Sequence, residues 1–135
     1  MNEPEAIREM LRDGLTIAVV GMSDDPAKAS HRVSAYMQSH GYRILPVNPT
    51  IPSALGETAY KSLSELPVTP DVVDVFRLPA AIPAIVDEMI ALGLKRLWVQ
   101  QGIVDLESAA KAEAAGIQVV MDRCIMVEHA HRAKV

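Results

Sequence analysis

The sequence predicts an α/β fold: one five-stranded, mostly parallel sheet with helices on both faces. Three observations carry this. β-Branched, apolar runs alternate five times with segments of helical apolar spacing, the pattern of a parallel sheet linked by helices. The runs are apolar almost throughout, as strands covered on both faces must be. Helical segments end in glycine at Gly41, Gly93 and Gly116, the residue that most readily takes the left-handed conformation that stops a helix.

Glu5 to Asp13 sets Ala6, Ile7, Met10 and Leu11 on one helical face, with Gly14 as the stop. Leu15 to Val20 is the first strand. Lys28 to His40 repeats the helical spacing through Ala29, Val33, Tyr36 and Met37, and Gly41 closes it. Tyr42 to Val47 is the second strand; Pro46 lacks a donor, which places that part of the strand at an edge or an irregularity. Two prolines stiffen the loop that follows. Gly56 to Lys61 is a connector with room for a short extended piece, and Ser62 to Leu66 is a single helical turn ended by Pro67. Asp71 to Phe76 is the third strand, with Asp71 and Asp74 expected at its start or on a solvated side. Ala80 to Leu92 is a strongly amphipathic helix capped by Gly93. Arg96 to Val99 is the fourth strand, Leu106 to Ala115 an alanine-rich helix, and Ile117 to Met121 the fifth strand.

Right-handed crossovers arrange such strands in the Rossmann-like order 3-2-1-4-5. The chain therefore reads as one domain over 1–135, with 1–13 an N-terminal helix and 124–135 a helical tail. Half of the 135 residues are hydrophobic, enough for a core at this size.

Formal net charge is −4, with no basic block. That argues against nucleic acid or an anionic membrane as the main partner. The single cysteine, Cys124, allows neither a disulfide nor a cysteine-based zinc site within one chain. The acidic start of the chain does not read as a signal peptide. No apolar run approaches the roughly 20 residues of a membrane span. The expected location is the cytoplasm. A protein partner and self-association stay open.

In an open α/β sheet, ligands bind beyond the carboxyl ends of the strands, where strand order reverses. The candidates are therefore Gly21-Met22-Ser23, Asn48-Pro49, Arg77-Leu78-Pro79, Gln100-Gln101-Gly102 and Asp122-Arg123-Cys124. Gly21 lets the backbone turn tightly against a ligand. Lys28, Ser30, His31 and Arg32 fall in the first turns of the next helix, where amides and dipole favour an anion. Together these resemble a phosphate cradle. A dinucleotide fingerprint would need two more loop glycines and a carboxylate after the second strand; the chain offers Asn48-Pro49 there, so NAD is disfavoured. A nucleoside-triphosphate loop is absent as well. Arg32 and Arg43 read as surface charges and Arg77 as a site residue. His129 and His131 read as part of a partly exposed helix, since their spacing is no recognised ligand set.

The segments IAVVGMSDDPAKASHRV, GYRILPVNP, DVVDVFRLP, WVQQGI and VVMDRCIMVEH, in this order and spacing, resemble the small coenzyme A-binding proteins. These are single-domain relatives of the N-terminal domain of the succinyl-CoA synthetase α-subunit. The resemblance covers about Leu15 to His129. It implies a Rossmann-like domain holding CoA or an acyl-CoA across the strand ends. Gly21, Ser23, Lys28 and Ser30 would face the phosphates, Asn48 and Pro49 the adenosine half. Val75, Phe76 and Arg77 would line the cleft, with Gln100 and Gly102 further along the rim. Met22 and His31 belong to the same loop and helix start.

The synthetase's ligase activity relies on a phosphorylated histidine in a second domain and is not expected to carry over. No triad or metal motif is visible, so the reading leans to a non-catalytic binder: a carrier, a sensor or a partner of an enzyme. The alternatives are a small enzyme acting on a CoA thioester or nucleotide through Cys124 or His31, and an NAD-sensing domain. Cys124, after Asp122 and Arg123, is a candidate reactive thiol because a neighbouring cation can lower a thiol's pKa; a structural cysteine is the plainer reading.

Overall fold

Strand and helix periodicities lead to the elements they announce. The structure, a computed structural model, describes residues 1–132; the last three residues of the expected tail lie outside them. In chain order the elements are α1 (Pro4–Met10), β1 (Thr16–Val20), α2 (Ala29–Ser39), β2 (Arg43–Val47), a small hairpin of β3 (Ser53–Ala54) and β4 (Glu57–Thr58), a 3₁₀ turn at Leu63–Glu65, β5 (Val72–Val75), a second 3₁₀ turn at Pro79–Ala81, α3 (Ile82–Leu92), β6 (Arg96–Val99), α4 (Leu106–Ala114), β7 (Gln118–Met121) and α5 (Ile125–Arg132).

Five strands form one parallel sheet in the order β2-β1-β5-β6-β7. β1 lies at the reversal point: Val20 pairs with Val47 on one side and Val75 on the other. The doubly wound pattern is the expected one. What differs is the segment that fills the place beyond β2. The strand counted third in the sequence, now β5, joins β1, and the outer place is held by Tyr60 in a single parallel bridge to Val47. Tyr60 donates its N–H to the Pro46 carbonyl at 2.9 Å and accepts from the Asn48 N–H at 2.8 Å. Pro46 is tolerated because its donor-less nitrogen points to this edge and not to β1.

Alternate strand residues face opposite layers. Ala18, Val20, Val73, Val75, Leu97 and Val99 pack under α3 and α4. Ile17, Val19, Val72, Trp98 and Val120 pack under α1, α2 and α5. Trp98 is fully buried in the second layer, and its Nε1–H donates to the Arg123 carbonyl at 2.9 Å. The free edge of β7 is occupied by Asn2. Its N–H donates to Val119, and its side chain brackets Met121 by donating to the carbonyl at 2.9 Å and accepting from the N–H at 2.6 Å.

Four expectations need correction. α1 stops at Met10, short of Asp13; the Leu11 carbonyl accepts the Tyr42 hydroxyl and the Arg132 guanidinium, so the chain turns away from the helical ladder. Ile90 and Leu92 lie on the amphipathic helix but are exposed, because its core-facing stripe runs through Ile82, Ile85, Val86 and Met89 and both fall off that face. Asp71 sits at the strand start, where it accepts the Thr16 N–H at 2.8 Å, but Asp74 is buried in the sheet. His129 is buried too, with Nδ1 2.9 Å from the Tyr36 hydroxyl; burial, then the Arg132 and His40 charges, push its pKa down.

Trp98→Phe removes the bond to the Arg123 carbonyl and leaves a gap where the buried indole packs. The expected loss is about 1–3 kcal/mol, read from urea denaturation; an unchanged midpoint would show that neither the indole bond nor its packing contributes.

Candidate functional site

All five strands of the sheet point their carboxyl ends to one edge, and the reversal point at β1 sets its centre. Gly21 leaves β1 with φ +87°, a conformation open to glycine. Its N–H donates to the Val47 carbonyl at 2.9 Å, while the Phe76 N–H donates to the Val20 carbonyl at 2.8 Å. The loop after β1 is thereby pressed against the end of β5. A Cβ on Gly21 would lie 2.3 Å from the Phe76 carbonyl oxygen and 3.1 Å from the Arg77 Nε. Arg77, half-buried, therefore lies directly against the glycine turn.

The loop is pinned by its own polar side chains. Ser23 N–H donates to the buried Ser30 Oγ at 2.9 Å, and Asp25 N–H donates to Ser23 Oγ at 3.0 Å. Asn48 donates to the Met22 carbonyl at 2.8 Å, and its Oδ1 accepts the Thr50 N–H and hydroxyl. Asn48 thus makes a local turn and ties the end of β2 to the loop after β1. Asp25 accepts the Ala27 N–H at 2.9 Å, which occupies one oxygen of the carboxylate nearest the helix start. α2 itself carries no acid in its first turn. Its positive dipole end favours an anion, with Asp24 and Asp25 in the loop just before it. Lys28 stands at its N-cap, exposed, and His31 is half-buried one turn on.

The sequence-named residues divide accordingly. Gly21, Ser23, Ser30, Asn48, Phe76 and Arg77 are drawn together by the contacts above. Met22 and Val75 send their side chains into the core, so only their backbone can face a ligand. Ser30 spends its acceptor on the loop. Pro49 is exposed beside Asn48. Arg32, exposed, donates to the Ala27 carbonyl at 2.8 Å, and Arg43 is exposed on β2. Gln100 is buried and turned inward, donating to Asp74 Oδ1 at 2.7 Å. Gly102 N–H donates to Asp122 Oδ1 at 2.8 Å, which joins the loops after β6 and β7. Cys124 is half-buried against the layer of α1, α2 and α5.

Sequence reasoning missed Asp74. Burial raises its pKa to about 7, against the lowering effect of hydrogen bonds from Gln100 and the Val75 backbone. Its place in an otherwise apolar run, one residue before the strand's end, was the available signal. Leu78, Val104 and Leu106 leave an exposed apolar fringe in the segments after β5 and β6. Three concavities, of about 660, 540 and 180 Å³, are lined by none of Gly21, Ser23, Asn48, Arg77 and Gln100. Among the described residues no group of His, Cys, Asp and Glu could hold a metal ion, and no helix is long and apolar enough to cross a membrane.

A doubly wound sheet with a glycine turn at its reversal point defines a Rossmann-like α/β domain. More narrowly, the chain belongs to the CoA binding domain family, whose model matches residues 15–130. It is similar to the YneT protein of Bacillus subtilis (strain 168), at 44% identity over 124 residues and 92% of each chain. A solved structure from Thermus thermophilus matches at 42% identity with a TM-score of 0.89, covering 97% of this chain and 98% of that one. An acetyl-coenzyme A synthetase from Ca. Korarchaeum cryptofilum shares the fold at 24% identity and a TM-score of 0.70, covering 83% of this chain and 27% of its own.

Gly21→Ala should destabilise by at least about 2 kcal/mol, since the methyl meets backbone and the positive φ is strained. Thermal melting checks it, and a melting temperature equal to that of the parent would refute the close approach. A carboxyl whose folded pKa is raised binds its proton more tightly when folded, so its contribution to stability falls as pH rises from about 4 to about 7. Asp74→Asn should remove that loss. Comparing denaturation at pH 5 and pH 8, the variant should gain a few kcal/mol on the parent at the higher pH; parallel pH profiles would contradict it.

Proposed function

We propose that this chain binds CoA or an acyl-CoA along the carboxyl edge of its sheet and does not turn it over. It would act as a carrier, a sensor or a partner subunit, in the cytoplasm. Membership of the CoA binding domain family supports the ligand class. The observation that carries the reading is the seating of Arg77 against the Gly21 turn, in front of an α2 start that bears no carboxylate. CoA has a pyrophosphate and a separate 3′-phosphate, so a site for it needs fixed cations as well as amides. Arg77 supplies a guanidinium able to grip a phosphate with two parallel bonds. Lys28 and His31 add donors at the helix start.

In this reading Gly21, Met22 and Ser23 offer backbone and hydroxyl to the phosphates. Ser30 acts by holding Ser23 in place, and Asn48 by holding Met22, with Pro49 beside the adenosine. Val75 and Phe76 form the backbone wall behind Arg77. Gln100 and Gly102 shape the rim toward the thiol end, Gln100 from beneath. Absence of a carboxylate after β2 supports CoA over NAD, since nothing there would take the ribose hydroxyls. The packing of Cys124 against an apolar layer supports a structural thiol over a nucleophile.

Calorimetry tests this. CoA should bind and NAD should not, and Arg77→Ala should weaken CoA about tenfold or more, the loss of a charge-assisted bond. Binding of NAD with no heat from CoA at millimolar concentration would overturn the ligand. Release of free CoA from acetyl-CoA by the purified protein, abolished in Cys124→Ala, would overturn the non-catalytic role.

A further inference from the structure

A separate concavity lies on the other side of the loop after β7. Asp122 faces the carboxyl edge through Gly102. The next residue, Arg123, lines a groove of about 540 Å³ between α1 and α5, a size typical of small-molecule sites. Pro4 and the half-buried Ile7 give the groove its apolar surface, with Leu11 buried beneath; Arg8, Arg123, His131 and Arg132, together with Glu128, form its rim.

The charges on the rim are not equivalent. Arg123 is answered by Glu128 at 3.3 Å, and Arg132 by Asp13 at 2.7 Å. Among the described residues the exposed Arg8 guanidinium makes no ion pair. One unanswered guanidinium over an apolar floor matches a ligand with one negative charge and an apolar body. A phosphate dianion would have to break one of the two existing pairs to be balanced. An apolar molecule without charge would leave Arg8 unused, and an amine would meet like charge.

We propose that the α1–α5 groove binds a small amphipathic monocarboxylate, of the fatty-acid or aromatic-acid class. Its carboxylate would lie on Arg8, with Arg123 close by, and its apolar body on Pro4 and Ile7. The site is separate from the carboxyl edge and does not rest on CoA binding there.

The test is a titration of the full chain with octanoate, followed by NMR through the methyl signals of Ile7 and the amide signal of Arg8, with octylamine as the cation of the same chain length. Octanoate should shift both residues saturably, and octylamine should not. Arg8→Glu should weaken octanoate at least tenfold. Arg8 is exposed and makes no ion pair among the described residues, so this variant should melt with the parent; Arg8→Gln serves if it does not. No saturable shift, equal binding of octylamine, or undiminished affinity in the Arg8 variants would each overturn the proposal. A parallel titration with CoA, read at Gly21 and Gly102, separates failure here from failure of the edge site.

Discussion

Between Gly21 and Phe76 there is room for backbone and nothing else. The turn after β1 and the end of β5 meet where a Cβ would fall 2.3 Å from a carbonyl oxygen, and that approach fixes the edge. It lets β1 pair with β2 and β5 to their last residues. It aims the loop toward the start of α2, and it brings Arg77 against the turn. Ser30 and Asn48 then hold the loop from the helix and from the neighbouring strand. Remove the close approach, and three separate elements lose their common reference point.

Much of this was legible in the chain. Periodicity gave every strand of the main sheet and every α-helix, because both-face burial leaves an apolar run and one-face burial a helical stripe. Gly21 could be singled out because a lone glycine between an apolar run and a polar loop has few other uses. The assignment of Arg77 to the site rested on its place after a buried strand, and the turn against it agrees with that place. What the sequence did not disclose is pairing without periodicity. Tyr60 fills the place beyond β2 with a single bridge, and no pattern announces one residue. Nor does residue type reveal direction: Met22, Val75 and Gln100 stand in the right segments yet point inward, because a strand's end alternates faces to its last residue. His129 misled for a related reason. Its neighbours His131 and Glu128 are solvated or half so, while its own face of α5 meets Tyr36.

Polar groups are also used below the surface. Asp74 and Gln100 form a buried pair under the carboxyl edge, in the layer that also takes Ser30, Ser34 and His129 from the helices above. Most such groups are matched by a partner, as burial demands. Ser34 Oγ is not. This layer is therefore less purely hydrophobic than the one under α3 and α4, and it is the layer that carries α2, whose first turn faces the edge. Stability and site geometry share one set of residues there.

The two margins of the sheet have a consequence for how this protein meets its own kind. A parallel sheet ordinarily presents a row of unspent backbone groups on each outermost strand, an invitation to pair with another chain. Here one margin is closed by Tyr60 and by a proline that has nothing to donate, the other by Asn2, which imitates a strand for the length of one residue and clamps Met121 with its amide. Growth of the sheet from molecule to molecule is discouraged at both ends. Association between copies would then have to proceed through side chains, whose composition can be tuned residue by residue, and not through the indiscriminate chemistry of the peptide bond.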